Sequence, residues 1–63
     1  DHPNIATTLT NIANVLNDLD QVEEAIAAMV RVEAIERKAL GTDHPYYRQT
    51  LNFMKALRQK ADQ

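Results

Sequence analysis

Apolar residues along the chain recur with the spacing of three amphipathic helices. They follow each other at steps of four and three between residues 4 and 18, and similar stripes run through 21–40 and 46–61. This spacing places apolar side chains on one side of a helix. The predicted stripes are Ile5, Leu9, Ile12, Leu16 and Leu19 in the first helix and Tyr47, Leu51, Met54, Leu57 and Ala61 in the third. The pattern predicts an all-α chain.

The second predicted helix has two different apolar sides and several charges. One side carries larger residues, and the other carries small ones that let a neighbouring helix approach closely. The larger residues are Val22, Ile26, Met29 and Val30, and the small side is Ala25, Ala28, Val32 and Ala39. We predict that Glu23, Glu24, Glu33 and Glu36 form a solvated face rather than an acid–base pair, and that Glu33 pairs with Arg37 one turn later.

Helix-start and helix-stop residues separate the three stripes. Asp1 can accept a hydrogen bond from a first-turn amide, and Pro3 suits the first turn because no amide is needed there. The stretch at 17–20 predicts a short turn, and Gly41 predicts a left-handed cap that ends the second helix. Short connections of this kind predict an antiparallel helical hairpin followed by a third helix.

The tripeptide Asp-His-Pro occurs at residues 1–3 and again at 43–45, which are 42 residues apart. Apolar residues repeat with the same offset, since Leu9 corresponds to Leu51 and Ile12 to Met54. A fixed period of about 20–50 residues is the signature of stacked repeats. The sequence therefore predicts one complete repeat over 1–42 and the first helix of a second over 43–63.

The repeated segments resemble the 42-residue tetratricopeptide repeat of kinesin light chains and nephrocystin-type proteins. The matching segments are the first Asp-His-Pro, Ile5–Leu9, Asn11–Ala13, Glu23–Ala25 and Ala39–Pro45. The resemblance implies an α-solenoid whose first helices line a concave groove for a peptide of a partner protein. It implies that Asn11 and Asn14 bind the peptide backbone. The predicted peptide-binding residues are Thr7, Thr10, Asn11, Asn14, Asn17, Asn52 and Lys55.

Two positions of the third helix depart from the first. Ala13, which we expect to lie tightly against the second helix, becomes Lys55, and Leu16 becomes Arg58. A charge at such a position needs water, because burying it unpaired is costly. These changes predict that the third helix acts as a C-terminal cap, as terminal repeats require. We expect the chain to be the C-terminal part of a longer array.

Composition excludes most chemistry for this segment. The chain has 63 residues, a net charge of −2, one glycine, no cysteine and no serine, so it has no serine or cysteine nucleophile and no phosphate-binding loop. His2 and His44 belong to the two helix-start tripeptides, so we predict no metal site. We predict a non-catalytic, cytoplasmic interaction scaffold with no cofactor, no nucleic-acid partner and no membrane span.

Two further hypotheses concern the partner. Residues 46–63 carry a net charge of +3 and residues 1–20 carry −3, so the third helix could attract an acidic peptide or complement the acidic part of the same or a neighbouring molecule. The alternative function is self-association into a homo-oligomer. It would use the apolar edges at Ile5, Leu9 and the small side of the second helix, where a preceding repeat would otherwise dock.

Overall fold

The computed structural model describes residues 4–62, which form three α-helices: α1 (Asn4–Asp18), α2 (Val22–Leu40) and α3 (Pro45–Ala61). The predicted all-α fold is confirmed, and the described residues contain no strand. Helix α2 starts one residue later than predicted, and α3 starts one residue earlier. The predicted roles of Asp1, His2 and Pro3 lie outside the described residues.

The turn between α1 and α2 consists of Leu19, Asp20 and Gln21. Asp20 has a positive φ of 63°, a conformation that aspartate tolerates better than most residues. The amide of Gln21 donates to the carbonyl of Leu16 at 2.8 Å. This bond uses a carbonyl that the end of α1 would otherwise leave unpaired.

Gly41 ends α2, as predicted, and its amide donates to the carbonyls of Glu36 and Arg37. Its φ of 88° requires glycine, but its ψ of 166° is extended rather than left-handed helical. Helix α3 then begins with His44 as its N-cap, whose Nδ1 accepts from the amide of Tyr46 at 3.1 Å. Because Pro45 has no amide hydrogen, Tyr46 supplies the first one to be capped. In this second tripeptide the histidine therefore caps the helix, the role that the sequence analysis gave to the aspartate of the first.

Helix α2 packs against both other helices, whereas α1 and α3 barely touch each other. Near the end of α3, Lys60 lies 3.7 Å from a carboxylate oxygen of Asp20, which immediately precedes α2. The end of α3 therefore lies beside the start of α2, and the two helices are antiparallel. Helices α1 and α3 flank α2 and leave a cleft between them.

The core lies on the two contact surfaces of α2. Its buried residues are Ala6, Ala13, Val22, Ala25, Met29, Val32, Met54 and Leu57. Ala13 is fully buried, as expected for a small residue that allows α2 to come close. The division of α2 into a large and a small side is wrong, because Val30 and Ala39 are exposed while Val22, Ala25, Met29 and Val32 share the core. Contact with two helices draws both kinds of residue into one wide buried face.

The predicted stripe of α1 is only partly buried. Leu9 and Leu16 are half-buried, but Ile5, Ile12 and Leu19 are exposed. The reason is that α1 packs mainly against α2, which reaches one side of the stripe. In α3, Tyr47, Met54 and Leu57 are buried as predicted, while Leu51 and Ala61 are exposed and Thr50 is buried instead. Within residues 4–62, the helices are too short or too polar to cross a bilayer.

Candidate functional site

A cleft of about 460 Å³ lies between α1 and α3 and has α2 as its floor. Helix α1 contributes one polar wall, and α3 contributes the other. The lining residues are Thr7, Thr10, Asn11, Asn14, Met29, Glu36, Tyr46, Gln49, Thr50 and Phe53. Four of the seven residues predicted to bind a peptide, Thr7, Thr10, Asn11 and Asn14, therefore line one space.

The wall on α1 follows from helical spacing. Residues 7, 10, 11 and 14 are three or four apart, so they form one face. Two of them bond to their own helix: Thr10 donates its hydroxyl hydrogen to the Ala6 carbonyl at 2.8 Å, and Asn14 donates an amide hydrogen to the Thr10 carbonyl at 3.1 Å. These bonds hold both side chains against α1, so this wall is ordered before a ligand arrives.

The floor contains a buried carboxylate that the sequence analysis placed in solvent. Glu36 is 1% exposed, and its carboxylate accepts a hydrogen bond from the buried hydroxyl of Thr50 on α3. The prediction of a solvated face was wrong for this residue. A buried carboxylate is tolerated where donors satisfy it. The signal was present in the sequence, since Met29, Val32 and Glu36 follow at steps of three and four.

Glu33 is likewise not fully solvated, because it is half-buried between α2 and α3. Its carboxylate accepts from the Tyr47 hydroxyl at 2.6 Å and lies 3.7 Å from the Arg37 guanidinium, which confirms the predicted pair within α2. The hydrogen bond to Glu33, together with burial and the charge of Glu33, raises the pKa of Tyr47, while Arg37 acts weakly in the opposite direction. Glu33 and Glu36 thus join α3 to α2 through two hydroxyl–carboxylate bonds.

Three predicted peptide-binding residues lie outside the cleft lining. The backbone oxygen and the Oδ1 atom of Asn17 accept from Lys60 at 3.4 and 3.0 Å. Asn52 and Lys55 are exposed on α3. None of the basic residues of α3 lines the cleft, and Glu36 is the only charged residue that does so within residues 4–62.

No group of three or more histidine, cysteine, aspartate or glutamate residues with metal-binding geometry occurs in the described part of the chain. His44 has its Nδ1 atom engaged as the cap of α3 and its ring 4.9 Å from that of Tyr46. The residues that line the cleft are polar, aromatic and apolar side chains together with the carboxylate of Glu36, all suited to hydrogen bonding and packing. Within residues 4–62 the lining includes neither a histidine nor a lysine.

The family model of the tetratricopeptide repeat matches residues 4–63, which is nearly the whole chain. No curated protein and no solved structure matches it. The match supports the repeat inferred from the two Asp-His-Pro tripeptides. The finer resemblance to the kinesin light chain and nephrocystin type stays a prediction.

Proposed function

This chain belongs to the tetratricopeptide-repeat family, whose members generally mediate protein–protein interactions, and we propose that the cleft between α1 and α3 binds a peptide segment of a partner protein. Proteins of this family are generally non-catalytic, and we propose the same for this segment. Residues 1–42 are proposed to be a complete repeat, and 43–63 the first helix of a second that acts as the C-terminal cap.

The observation that carries the proposal is the convergence of the predicted residues on one cleft. Thr7, Thr10, Asn11 and Asn14 line a single space with Met29 and Phe53, which gives it polar walls and apolar patches. Ligand sites typically combine an apolar lining with a few polar groups and enclose about 300–1,000 Å³. A cleft of about 460 Å³ falls in that range and is partly open to solvent, so a segment of another chain can enter it.

Asn11 and Asn14 are suited to hold a peptide backbone. An asparagine amide both donates and accepts, which matches the amide and carbonyl of an extended chain. Asn14 uses one amide hydrogen within α1, so its oxygen and second hydrogen remain for a ligand. Asn52 and Lys55, exposed on α3, would make flanking contacts, and Asn17 would first have to release Lys60.

The test begins with peptides selected from a display library of random twelve-residue segments on the immobilised chain. The affinity of each selected peptide is then measured for the parent, for Asn14→Ala and for Asn52→Ala. We expect Asn14→Ala to weaken binding about twofold to tenfold, because a hydrogen bond contributes about 0.5–1.5 kcal/mol net. Asn52→Ala is the comparison variant: it removes the same amide from an exposed position of α3 outside the cleft lining, so as a flanking contact it should weaken binding by less than about twofold.

Circular dichroism of both variants checks that helicity is unchanged. Equal affinity of the selected peptides for the parent and Asn14→Ala would contradict the assignment of the site to this cleft. A loss of binding in Asn52→Ala alone would move the site to the outer face of α3.

The exposed apolar face of α1 favours a second candidate function, which is self-association. Ile5, Ile12, Val15 and Leu19 are large and exposed, and they lie along one side of the helix. The small side of α2 that was expected to join this edge is largely buried within the chain, and Leu9 is half-buried. In this proposal, the α1 faces of two copies pack against each other across a twofold axis.

Sedimentation at several concentrations tests this second function. Ile12→Arg should shift any dimer to monomer, whereas Val30→Arg should not. The two positions are equally exposed, at 46%, but Val30 lies on α2, away from the α1 face. A parent chain that stays monomeric at millimolar concentration would contradict self-association and would leave a helix outside this chain to cover α1.

A further inference from the structure

The packing of α3 on α2 shows what kind of helix fits the exposed face of α1. Residues 42 apart have the same repeat position, so each residue of the α1 face has a counterpart in α3. The counterparts of Ile5, Ile12 and Val15 are Tyr47, Met54 and Leu57. The three residues of α3 are buried against α2, whereas the three of α1 are exposed. A helix that covers the α1 face in the same way must present to it the surface that α2 presents to α3.

Two hydrogen bonds identify the side of α2 that faces α3. The carboxylate of Glu33 accepts from the Tyr47 hydroxyl at 2.6 Å, and the carboxylate of Glu36 accepts from the Thr50 hydroxyl. Helical spacing places the residues at the preceding steps of four and three on the same side. These residues are Val22, Ile26 and Met29. The docking side of α2, formed by these five residues, is thus apolar in its first half and carries two carboxylates in its second half.

The faces of α1 and α3 differ in the group that would meet Glu33. In α3 this group is the Tyr47 hydroxyl, which donates to a carboxylate whose side chain is only 19% exposed. Ile5 has the same repeat position and no hydrogen to donate. A helix with the sequence of α2 would bury its carboxylate against Ile5 without that bond, which is unfavourable. The position of Glu36 does not discriminate in this way, because Thr8 is the counterpart of Thr50.

We propose that the α1 face binds the second helix of another repeat unit, one that has an apolar residue where α2 has Glu33. Ile5 and Tyr47 are then the residues that select the neighbouring helix, since the first favours an apolar partner and the second a carboxylate. The rest of the bound helix follows the docking side of α2. This inference concerns a surface separate from the cleft and does not depend on peptide binding there. It assigns the α1 face to an occupant other than a second copy of this chain.

The test uses two synthetic helices of residues 21–41, one with the sequence of the chain and one with Glu33→Leu. Isolated helices of this length are marginally stable, so a crosslink between positions 27 and 31, on the side opposite the docking side, holds both helical. Binding to the isotope-labelled chain is followed by nuclear magnetic resonance at concentrations where sedimentation shows a monomer. We expect the Glu33→Leu helix to shift the amide signals of Ile5, Ile12 and Val15 and to bind about tenfold more tightly than the unsubstituted helix.

Three variants of α1 assign the preference to Ile5. Ile5 and Ile12 are 63% and 46% exposed, so substitutions at these positions should keep the fold. Ile5→Tyr supplies the hydroxyl that Tyr47 has in α3, and it should raise the affinity for the unsubstituted helix about fivefold. Ile5→Phe is the matched control, because it adds the ring without the hydroxyl and should not raise that affinity to the same extent. Ile12→Arg should abolish the binding of both helices, since it places a charge within the α1 face.

Equal affinity of the parent chain for the two helices would overturn this inference, as would equal affinity of Ile5→Tyr and Ile5→Phe for the unsubstituted helix. Binding that persists in Ile12→Arg would mean that the added helix docks elsewhere, for example by replacing α2, and the inference would fail. It would also fail if neither helix binds, whether or not the chain dimerises at higher concentration. Peptide binding in the cleft is judged separately by Asn14→Ala.

Discussion

Helices α1 and α3 carry the same repeat register but bury opposite sides. Ala13 is fully buried against α2, while Lys55, 42 residues later, is exposed. Conversely, Ile12 is exposed, while Met54 at the same offset is buried. The helix that α1 and α3 represent therefore has two possible packing faces. Each of the two helices packs only one of these faces against α2.

The difference teaches that repeat position alone does not determine burial. Helix α2 contacts α1 on the side of Ala6 and Ala13, and it contacts α3 on the side that corresponds to Ile5 and Ile12. In a stacked array each first helix would meet both kinds of neighbour. Here the unused face of α1 is apolar and that of α3 is basic, so the two ends of this chain have different surface chemistry.

The largest loss of stability is expected when Ala13 of α1 is replaced by lysine, the residue at the same repeat position in α3. Ala13→Lys places a charge and a long side chain in a fully buried position, which should cost more than about 3 kcal/mol. A chain of this length has a total stability of only roughly 3–9 kcal/mol, so this variant should lose about a third of that stability or more. Helicity and urea unfolding followed by circular dichroism measure the effect.

The reverse exchange, Lys55→Ala, is the control. It should keep the free energy of unfolding within about 0.5 kcal/mol, because Lys55 is exposed. Comparable stability of Ala13→Lys and Lys55→Ala would mean that the two helices do not bury opposite sides.

A smaller effect is expected from truncating one apolar residue at the same repeat position in each helix. Leu57 is 1% exposed and Val15, its counterpart in α1, is 57% exposed. Leu57→Ala should lower the free energy of unfolding by about 2–5 kcal/mol, because it leaves a cavity between α2 and α3. Val15→Ala should change it by less than about 0.5 kcal/mol. An equal loss in both variants, measured at low protein concentration, would show that the α1 face is covered.

The smallest change in stability is expected at Tyr47. This residue of α3 has the same repeat position as Ile5 of α1. Because its pKa is raised in the folded chain, the folded state keeps the phenol proton to higher pH than the unfolded state does. The contribution to stability is complete below the unfolded pKa of about 10 and is lost as pH rises through the folded pKa.

Tyr47→Phe should therefore be less stable than the parent near neutral pH. The difference in their free energies of unfolding should become smaller above a pH of about 10. Urea midpoints across this range measure it. Tyr46→Phe is the matched control, because it removes a hydroxyl from the exposed tyrosine next to Tyr47 on the same helix. A gap that stays constant with pH would contradict the bond between Tyr47 and Glu33.

The sequence predicted the elements of the fold better than their burial. Periodicity and Gly41 were sufficient for three helices, since both depend on residues close in the chain. The exposure of Ile5 and Ile12 depends on which helices lie beside α1, and no local pattern contains that information. The burial of Glu36 was missed although its spacing from Met29 and Val32 indicates it, because the donor that satisfies the buried carboxylate, Thr50, lies on another helix.

The candidate site followed the same division. Thr7, Thr10, Asn11 and Asn14 share a face by helical spacing, so their grouping was predictable from the sequence. The contribution of α3 to the cleft was not predictable from the sequence. Tyr46, Gln49 and Phe53 lie across the cleft from that face only because α3 packs on α2. Asn17 was predicted to lie in the site because it shares a helix face with Thr7 and Thr10. Its contact with Lys60, 43 residues away in the chain, cannot be predicted from spacing.

The contact between Lys60 and Asn17 also connects the two helices that form the walls of the cleft. It ties the ends of α1 and α3 together, whereas the walls around Thr7 and Gln49 stand near the opposite ends of these helices. Any change in the angle between α1 and α3 would then move the ends near Thr7 and Gln49 more than the ends that Lys60 and Asn17 connect. The separation of α1 and α3 is therefore held by a direct contact beside Asn17 and Lys60 but by none of the described hydrogen bonds beside Thr7 and Gln49.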